Sequence, residues 1–446
     1  FFETSPHMLG IIVAVSVVTL SLLTIGRRRE ALLFGALLPI LLKFFVPTSH
    51  NIEVNSSLLV PAEYQEIFKQ HGAFAIITGS TSGVGKELAK ILYESEGIPI
   101  TIVVASRSPS KCQAVVEELQ TTNRSSKLDW HYLDTSDLDS VRGFAVWYKS
   151  KYPYLNFLVN NAGIHYSTTY AGVDSASNPM LNTSLIMKSK QGYDMSFATN
   201  YMGHFYLTEL LLPLMNWGRV INIASTFHVQ ADGHSLSVNG LNDAPLFSKP
   251  IVNSFHHRND AYPASKLAQI LHVKQLTRVY HRKGSIFSYH IQQMDFHILL
   301  IVYIDVLFLS LCPGWVNTNM LPNDGIVGAI LDKLAFSMEE GMQVFRMAIF
   351  SNELSSGDHL LNMKIYPFSY LPRSYLDAFL TFGDNLGHRD VLSLSFAMLL
   401  LSTQRLTLGA HVSITSQESL NETLAIQLYD WSKKELKDNG YLDMEL

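Results

Sequence analysis

Residues 73 to 93 constrain the fold more than any other stretch of the chain. Ala73-Phe-Ala-Ile-Ile-Thr78 is an apolar run of strand length. It feeds Gly79-Ser-Thr-Ser-Gly83-Val-Gly85 and then the helical pattern Lys86-Glu-Leu-Ala-Lys-Ile-Leu-Tyr93. A strand passing through a glycine-rich turn into a helix is the opening unit of a doubly wound α/β sheet. Glycine lets a backbone approach a pyrophosphate closely, and the free N–H groups of the helix start favour its charge. Read alone, the same turn also fits an ordinary loop, so the weight falls on the residues beyond Tyr93.

Three more strand-like runs lie there. Pro99-Ile-Thr-Ile-Val-Val-Ala105 is almost unbroken β-branched sequence, as in a strand buried on both faces. It ends in Ser106-Arg107-Ser108, where a nucleotide-binding unit places the group that reads the ribose. A carboxylate there would hold the 2′-hydroxyl of NAD(H), whereas an Arg suits a 2′-phosphate. Arg107 therefore favours NADP(H) and leaves NAD(H) open; the alternative is an Arg that caps a solvated loop. Trp130-His-Tyr-Leu-Asp134 ends on a carboxylate that can accept from an adenine amino group or cap a helix over Thr135 to Val141. Leu155-Asn-Phe-Leu-Val159 closes on Asn160-Asn161-Ala162-Gly163, small and amide residues that allow close approach of a cofactor. The expected fold class is α/β, a Rossmann-type doubly wound parallel sheet.

The chemistry lies further along. In Tyr262-Pro-Ala-Ser-Lys266 the phenol and the ammonium are four residues apart, so a helix places them on one face. An ammonium beside a phenol favours tyrosinate, which predicts a Tyr262 pKa lowered towards working pH and a usable acid or base. Arg219-Val-Ile-Asn-Ile-Ala-Ser225 reads as a buried strand ending in a hydroxyl. His204, in Phe197-Ala-Thr-Asn200-Tyr-Met-Gly-His-Phe205, is expected to pack on its helix. His256 and His257 lack a third ligand at sensible spacing, so no metal site is expected.

Together Thr78-Gly79-x-x-x-Gly83-x-Gly85, Asn160-Asn161-Ala162-Gly163, Tyr262-x-x-x-Lys266 and Pro313-Gly314-Trp-Val-Asn-Thr318 resemble the short-chain dehydrogenase/reductase family. The glycine spacing is not that of its extended, epimerase-like branch. The resemblance spans about Ala73 to Thr318 and implies an oxidoreductase acting on CH–OH donors or their carbonyls. It implies that Tyr262 is the general acid/base, that Ser225 polarises the substrate oxygen, and that Lys266 reaches the nicotinamide ribose. Asn200 would hold a proton-relay water beside Lys266. Gly79, Ser82, Gly83, Val84, Gly85, Arg107, Asp134, Asn161, Ala162, Gly163, Tyr262, Lys266, Pro313, Gly314 and Thr318 would bind the cofactor, the last two near its carboxamide. Ser-Lys-Leu-Ala after the tyrosine and the long loop after Ser225 are similar to the retinol-dehydrogenase-like and polyprenol/dolichol-type branch.

Composition enters at the ends of the chain. Hydrophobic residues make up 47% and charged residues 16% of 446, well below the about 25% charged usual in soluble domains. From Thr4 to Gly26 there is no charged residue, and Arg27, Arg28 and Arg29 follow. That length can cross a hydrocarbon core, and the charge order is opposite to that of a signal peptide. Residues 1–50 are therefore expected to be an anchor with an N-terminal transmembrane helix. The run from Ala31 to Pro47 leaves the choice between one span and two open. A linker over 51–72 leads to a single catalytic domain over 73–446, with insertions near 226–258, 285–304 and 385–410. Membrane location, in the endoplasmic reticulum, and a lipophilic substrate are expected; a homodimer is left open. A net charge of −5 argues against nucleic acid as partner. The alternatives are a 3-ketosteroid reductase of sterol synthesis and a non-catalytic NADP-binding membrane scaffold.

Overall fold

The computed structural model describes residues 72–120, 124–164, 188–215, 217–231, 236, 261–280, 287–289, 300–302, 305–314, 316, 337–351, 354–363, 409–412 and 418–442. The expected anchor and linker, and most of the three expected insertions, lie outside them. No helix among the described residues is long and apolar enough to cross a membrane.

The opening runs alternate strand and helix, as their apolar patterning requires. They are β1 (Ala73–Thr78), α1 (Gly83–Glu94), β2 (Ile100–Ser106), α2 (Pro109–Leu119), β3 (Lys127–Tyr132), α3 (Leu138–Lys151) and β4 (Phe157–Asn160). Next comes α4, which begins as an α-turn at Met195–Phe197, winds as a π-helix over Ala198–Met202 and returns to α over Gly203–Leu211. β5 (Trp217–Ile223), the long α5 (Ala261–Tyr280) and a short antiparallel pair, β6 (Phe287–Tyr289) with β7 (Leu300–Val302), precede β8 (Asp305–Cys312). The chain continues through α6 (Met338–Gly341), α7 (Gln343–Phe350), β9 (His359–Met363), β10 (Gly409–Val412) and α8 (Glu422–Asp438).

The main sheet runs in the order β10-β9-β8-β5-β4-β1-β2-β3, and the pairings from β9 to β3 are parallel. The order reverses between β1 and β4, and the crevice beyond that switch point is where such sheets take their ligands. Register aligns the carboxyl ends: Ile77 lies opposite Val159, Asn160 opposite Asn222, and Ile223 opposite Leu311. Strands β4 and β5 are buried along their whole length, yet each carries an asparagine. Asn160 Nδ2 donates to Asn222 Oδ1 at 2.8 Å and to Thr208 Oγ1 at 3.1 Å, while Asn160 Oδ1 is buried without a partner among the described residues.

Two compact units divide the chain. The larger holds residues 52–313, 344–361 and 412–446; the smaller holds 1–51, 314–343 and 362–411. In the larger unit, α5 is buried along most of its length because it packs between β5 and β8 on one side and α8 on the other. Helix α8 turns Leu424, Leu428 and Tyr429 inward, and Tyr429 donates to Glu209 of α4 at 2.9 Å. In the smaller unit, α6 opens on a capping box formed by Ser337 and Glu340, and Gly341 packs against Val316.

Candidate active site

The turn after β1 and the tetrapeptide after β4 are laced together. Thr78 Oγ1 accepts the backbone N–H of Asn161 at 2.9 Å and of Ala162 at 2.8 Å. Asn161 Nδ2 returns a bond to the Thr78 carbonyl at 2.7 Å. Gly79 has φ +67°, and a Cβ there would lie 2.8 Å from the Ala162 backbone, so the approach requires glycine. Helix α1 then starts at Gly83, with no capping bond from the Ser82 side chain and no carboxylate in its first turn. Its leading N–H groups, including those of Val84 and Gly85, are thereby left for an external anion.

Beyond β2, Arg107 is exposed and makes no ion pair among the described residues. This donor set fits a nicotinamide dinucleotide, and a guanidinium at this place fits one that carries a further phosphate. Asp134 behaves differently from one half of its expectation. Its Oδ1 accepts from Ser136 N at 2.9 Å and from Ser136 Oγ at 2.7 Å, which closes a turn, while Asp137 caps α3. The helix therefore begins at Leu138, three residues after the expected Thr135.

The four expected catalytic residues meet in the larger unit. Ser225 follows β5, and its backbone is held by His228 Nδ1, which donates to the Ser225 carbonyl at 2.7 Å. Tyr262 and Lys266 share one face of α5, the ammonium 5.6 Å from the phenol ring centroid. Lys266 Nζ donates to the Ile223 carbonyl at 2.8 Å. Asn200 sits in the π turn, where its side chain accepts from Ile164 N at 2.8 Å and donates to Ser265 Oγ at 3.0 Å. Gly163 closes the cluster: a Cβ there would lie 3.4 Å from Asn200 Oδ1 and 3.5 Å from Lys266 Nζ.

The electrostatics correct the expected Tyr262 pKa. The phenol is 9% exposed, and burial pushes it up to about 12 although a hydrogen bond with Ser225 holds it down. Lys266 is 4% exposed, and burial brings its ammonium down to about 8. Desolvation of both groups outweighs the expected stabilisation of tyrosinate. In the free chain Tyr262 is thus a neutral phenol at physiological pH.

Pro313 follows β8 in the larger unit, and Gly314, with φ +81°, belongs to the smaller one. Thr318 lies outside the described residues, as do His256 and His257. Among the described residues no group of three or more metal-ligating side chains occurs. Sequence reasoning named Thr78 in its motif without a role for the hydroxyl that orders the tetrapeptide, and it missed Gln269, whose side chain donates to the Asn200 carbonyl. The first was signalled by its place directly before Gly79; the second lies three residues beyond Lys266 on a helix buried on all sides.

A model of the short chain dehydrogenase family matches residues 73–235. "Short-chain dehydrogenase TIC 32 A, chloroplastic" of Brassica napus is 27% identical over 59% of this chain and 69% of its own length. Human retinol dehydrogenase 11 is 30% identical over 46% of this chain and 56% of its own. Human polyprenol dehydrogenase is 28% identical over 47% and 56%. An NADPH-bound carbonyl reductase from chicken fatty liver has a solved structure with 18% identity and a TM-score of 0.42, covering 65% of this chain and 95% of that one.

Proposed function

We propose a specific reaction for this chain, which belongs to the short-chain dehydrogenase/reductase family in its retinol- and polyprenol-dehydrogenase-like branch. It is a membrane-anchored, NADP(H)-dependent oxidoreductase that interconverts an alcohol and a carbonyl on a lipophilic substrate. Retinoids, polyprenoids, steroids and fatty aldehydes are the candidate class. The observation that carries the reaction is the buried, hydrogen-bonded pair Ser225 and Tyr262 with Lys266 beside it.

When bound, the nicotinamide supplies or takes up the hydride. For reduction, the Tyr262 phenol donates its proton to the substrate oxygen, which the Ser225 hydroxyl orients. Lys266 then returns a proton to Tyr262, and Asn200 holds the route by which Lys266 is recharged. Oxidation runs the same path in reverse.

Arg107, exposed and without an ion-pair partner among the described residues, supports the choice of NADP(H). The charge-free stretch from Thr4 to Gly26 and the three arginines behind it support an anchor, placed in the endoplasmic reticulum membrane. The test is an assay of the full chain in detergent with NADPH or NADH against retinaldehyde, a polyprenal, a 3-ketosteroid and a long-chain aldehyde. The reading expects faster NADPH oxidation with retinaldehyde or the polyprenal. Exclusive turnover of the ketosteroid would favour the sterol-reductase alternative. NADPH binding without turnover of any of the four would favour the scaffold.

A further inference from the structure

One buried group beside the relay has no part in the reaction described above. His204 lies on α4, 1% exposed, with both ring nitrogens engaged. Its Nδ1 is 3.0 Å from the Asn200 carbonyl, and its Nε2 is 2.8 Å from Thr78 Oγ1. A carbonyl can only accept, so Nδ1 carries the proton and Nε2 presents a lone pair. The Thr78 hydroxyl then donates to Nε2. Its other available acceptor, the Val159 carbonyl, is farther away at 3.4 Å. The Thr78 oxygen in turn accepts the N–H groups of Asn161 and Ala162.

The result is one directed chain of hydrogen bonds. It runs from the tetrapeptide after β4, through Thr78 and the imidazole, to the main chain of the asparagine in the π turn. The Asn200 carbonyl offers Nδ1 only an acceptor, so the tautomer is fixed by its surroundings. Burial brings the imidazole down to about 4, so the ring stays neutral and the chain keeps its direction at physiological pH.

We propose that His204 is a positioning residue that couples the cofactor turn to the proton relay, its Nε2 side setting the Thr78 turn and its Nδ1 side setting Asn200. This rests on the dehydrogenase/reductase reading, and its two halves are separable. Asparagine at this position places an N–H near the former Nδ1 and keeps only the tie to Asn200. Glutamine places a carbonyl oxygen near the former Nε2 and keeps only the tie to Thr78.

The experiment measures NADPH affinity by fluorescence and kcat with the best carbonyl of the panel above, for His204→Asn, His204→Gln and His204→Phe. Loss of one neutral hydrogen bond corresponds to about five-fold. His204→Asn is expected to weaken NADPH binding about five-fold while holding kcat. His204→Gln is expected to do the reverse, and His204→Phe to lose both. A purely structural histidine would give variants that lose both properties in parallel with their melting temperatures, and that result overturns the coupling.

Should the variants fail to fold, 15N spectra of the wild-type imidazole decide instead. A neutral Nδ1–H form that persists from pH 6 to pH 9 is expected, and an Nε2–H form overturns the proposal. Should the wild type reduce none of the carbonyls, the functional reading fails, while the NADPH arm still decides the Thr78 tie.

Discussion

At the scale of single residues, burial decides more than neighbouring charge. Tyr262 and Lys266 are close enough to stabilise one another's ions, yet each is pushed by desolvation towards its neutral form. Lys266 loses its proton as pH rises through about 8. The pH profile of kcat/KM for NADPH in the reduction direction reports groups of the free enzyme. It is expected to be level below that value and to fall with a one-proton slope above it; a profile level to pH 10 would contradict this assignment.

Arg219 illustrates the same balance in the scaffold. It is 3% exposed in β5, and it donates to the Ala348 carbonyl at 2.6 Å and to the Ser351 carbonyl at 2.7 Å, at the end of α7. Burial brings its guanidinium down to about 10. Arg219→Met removes the cation but strands two carbonyls of a helix C-terminus. A loss of about 2–3 kcal/mol is expected in urea titration, without a change in NADPH affinity.

Elements are held at defined spacings by the residues between them. Helix α4 lies against the segment after β3 because position 203 has no side chain: a Cβ on Gly203 would fall 1.8 Å from the Thr135 carbonyl oxygen. A backbone atom cannot move aside as a flexible side chain can. Gly203→Ala is therefore expected to cost about 3 kcal/mol or more, and it displaces the π turn that presents Asn200. A thermal melt alongside the turnover assay checks both effects, and an alanine variant as stable and active as the parent would refute the contact.

The same elements show what the residue order made legible. β1, β2, β4 and β5 were readable because parallel strands covered on both faces are continuous apolar runs. β3 was placed over Trp130 to Asp134, whereas it runs Lys127–Tyr132. As the edge strand of the sheet it has one largely half-buried face, so no apolar run marks its start. The π turn at Ala198–Met202 left no signal in residue type. Motif spacing singled out Asn200, Ser225, Tyr262 and Lys266, and the structure places them near one another. The protonation states of Tyr262 and Lys266 were not legible, since they depend on how deeply the whole of α5 is buried.

The whole molecule adds a pH dependence of its own. His204 and His228 are brought down to about 4 and His272 to about 3, chiefly by burial, from an ordinary 6.5. The unfolded chain therefore takes up these protons first as pH falls. Stability from the three is fully present above about pH 6.5 and is lost towards pH 4, with a slope of at most about 4 kcal/mol per pH unit for three protons. Urea midpoints at pH 7.5, 6 and 5 are expected to fall in that order. A midpoint that rises on acidification would show that these histidines are not held neutral.

The proposed reaction rests on a single buried phenol as the proton donor, and that claim has a direct test. Tyr262→Phe removes the hydroxyl and leaves the ring that fills its place in α5. With a carbonyl that the parent reduces, kcat is expected to fall at least about 100-fold, while NADPH affinity measured on the same preparation stays within about two-fold of the parent, less than the loss of one hydrogen bond. Turnover near the parental rate in the phenylalanine variant, with NADPH bound as before, would contradict the assignment of Tyr262 as the acid.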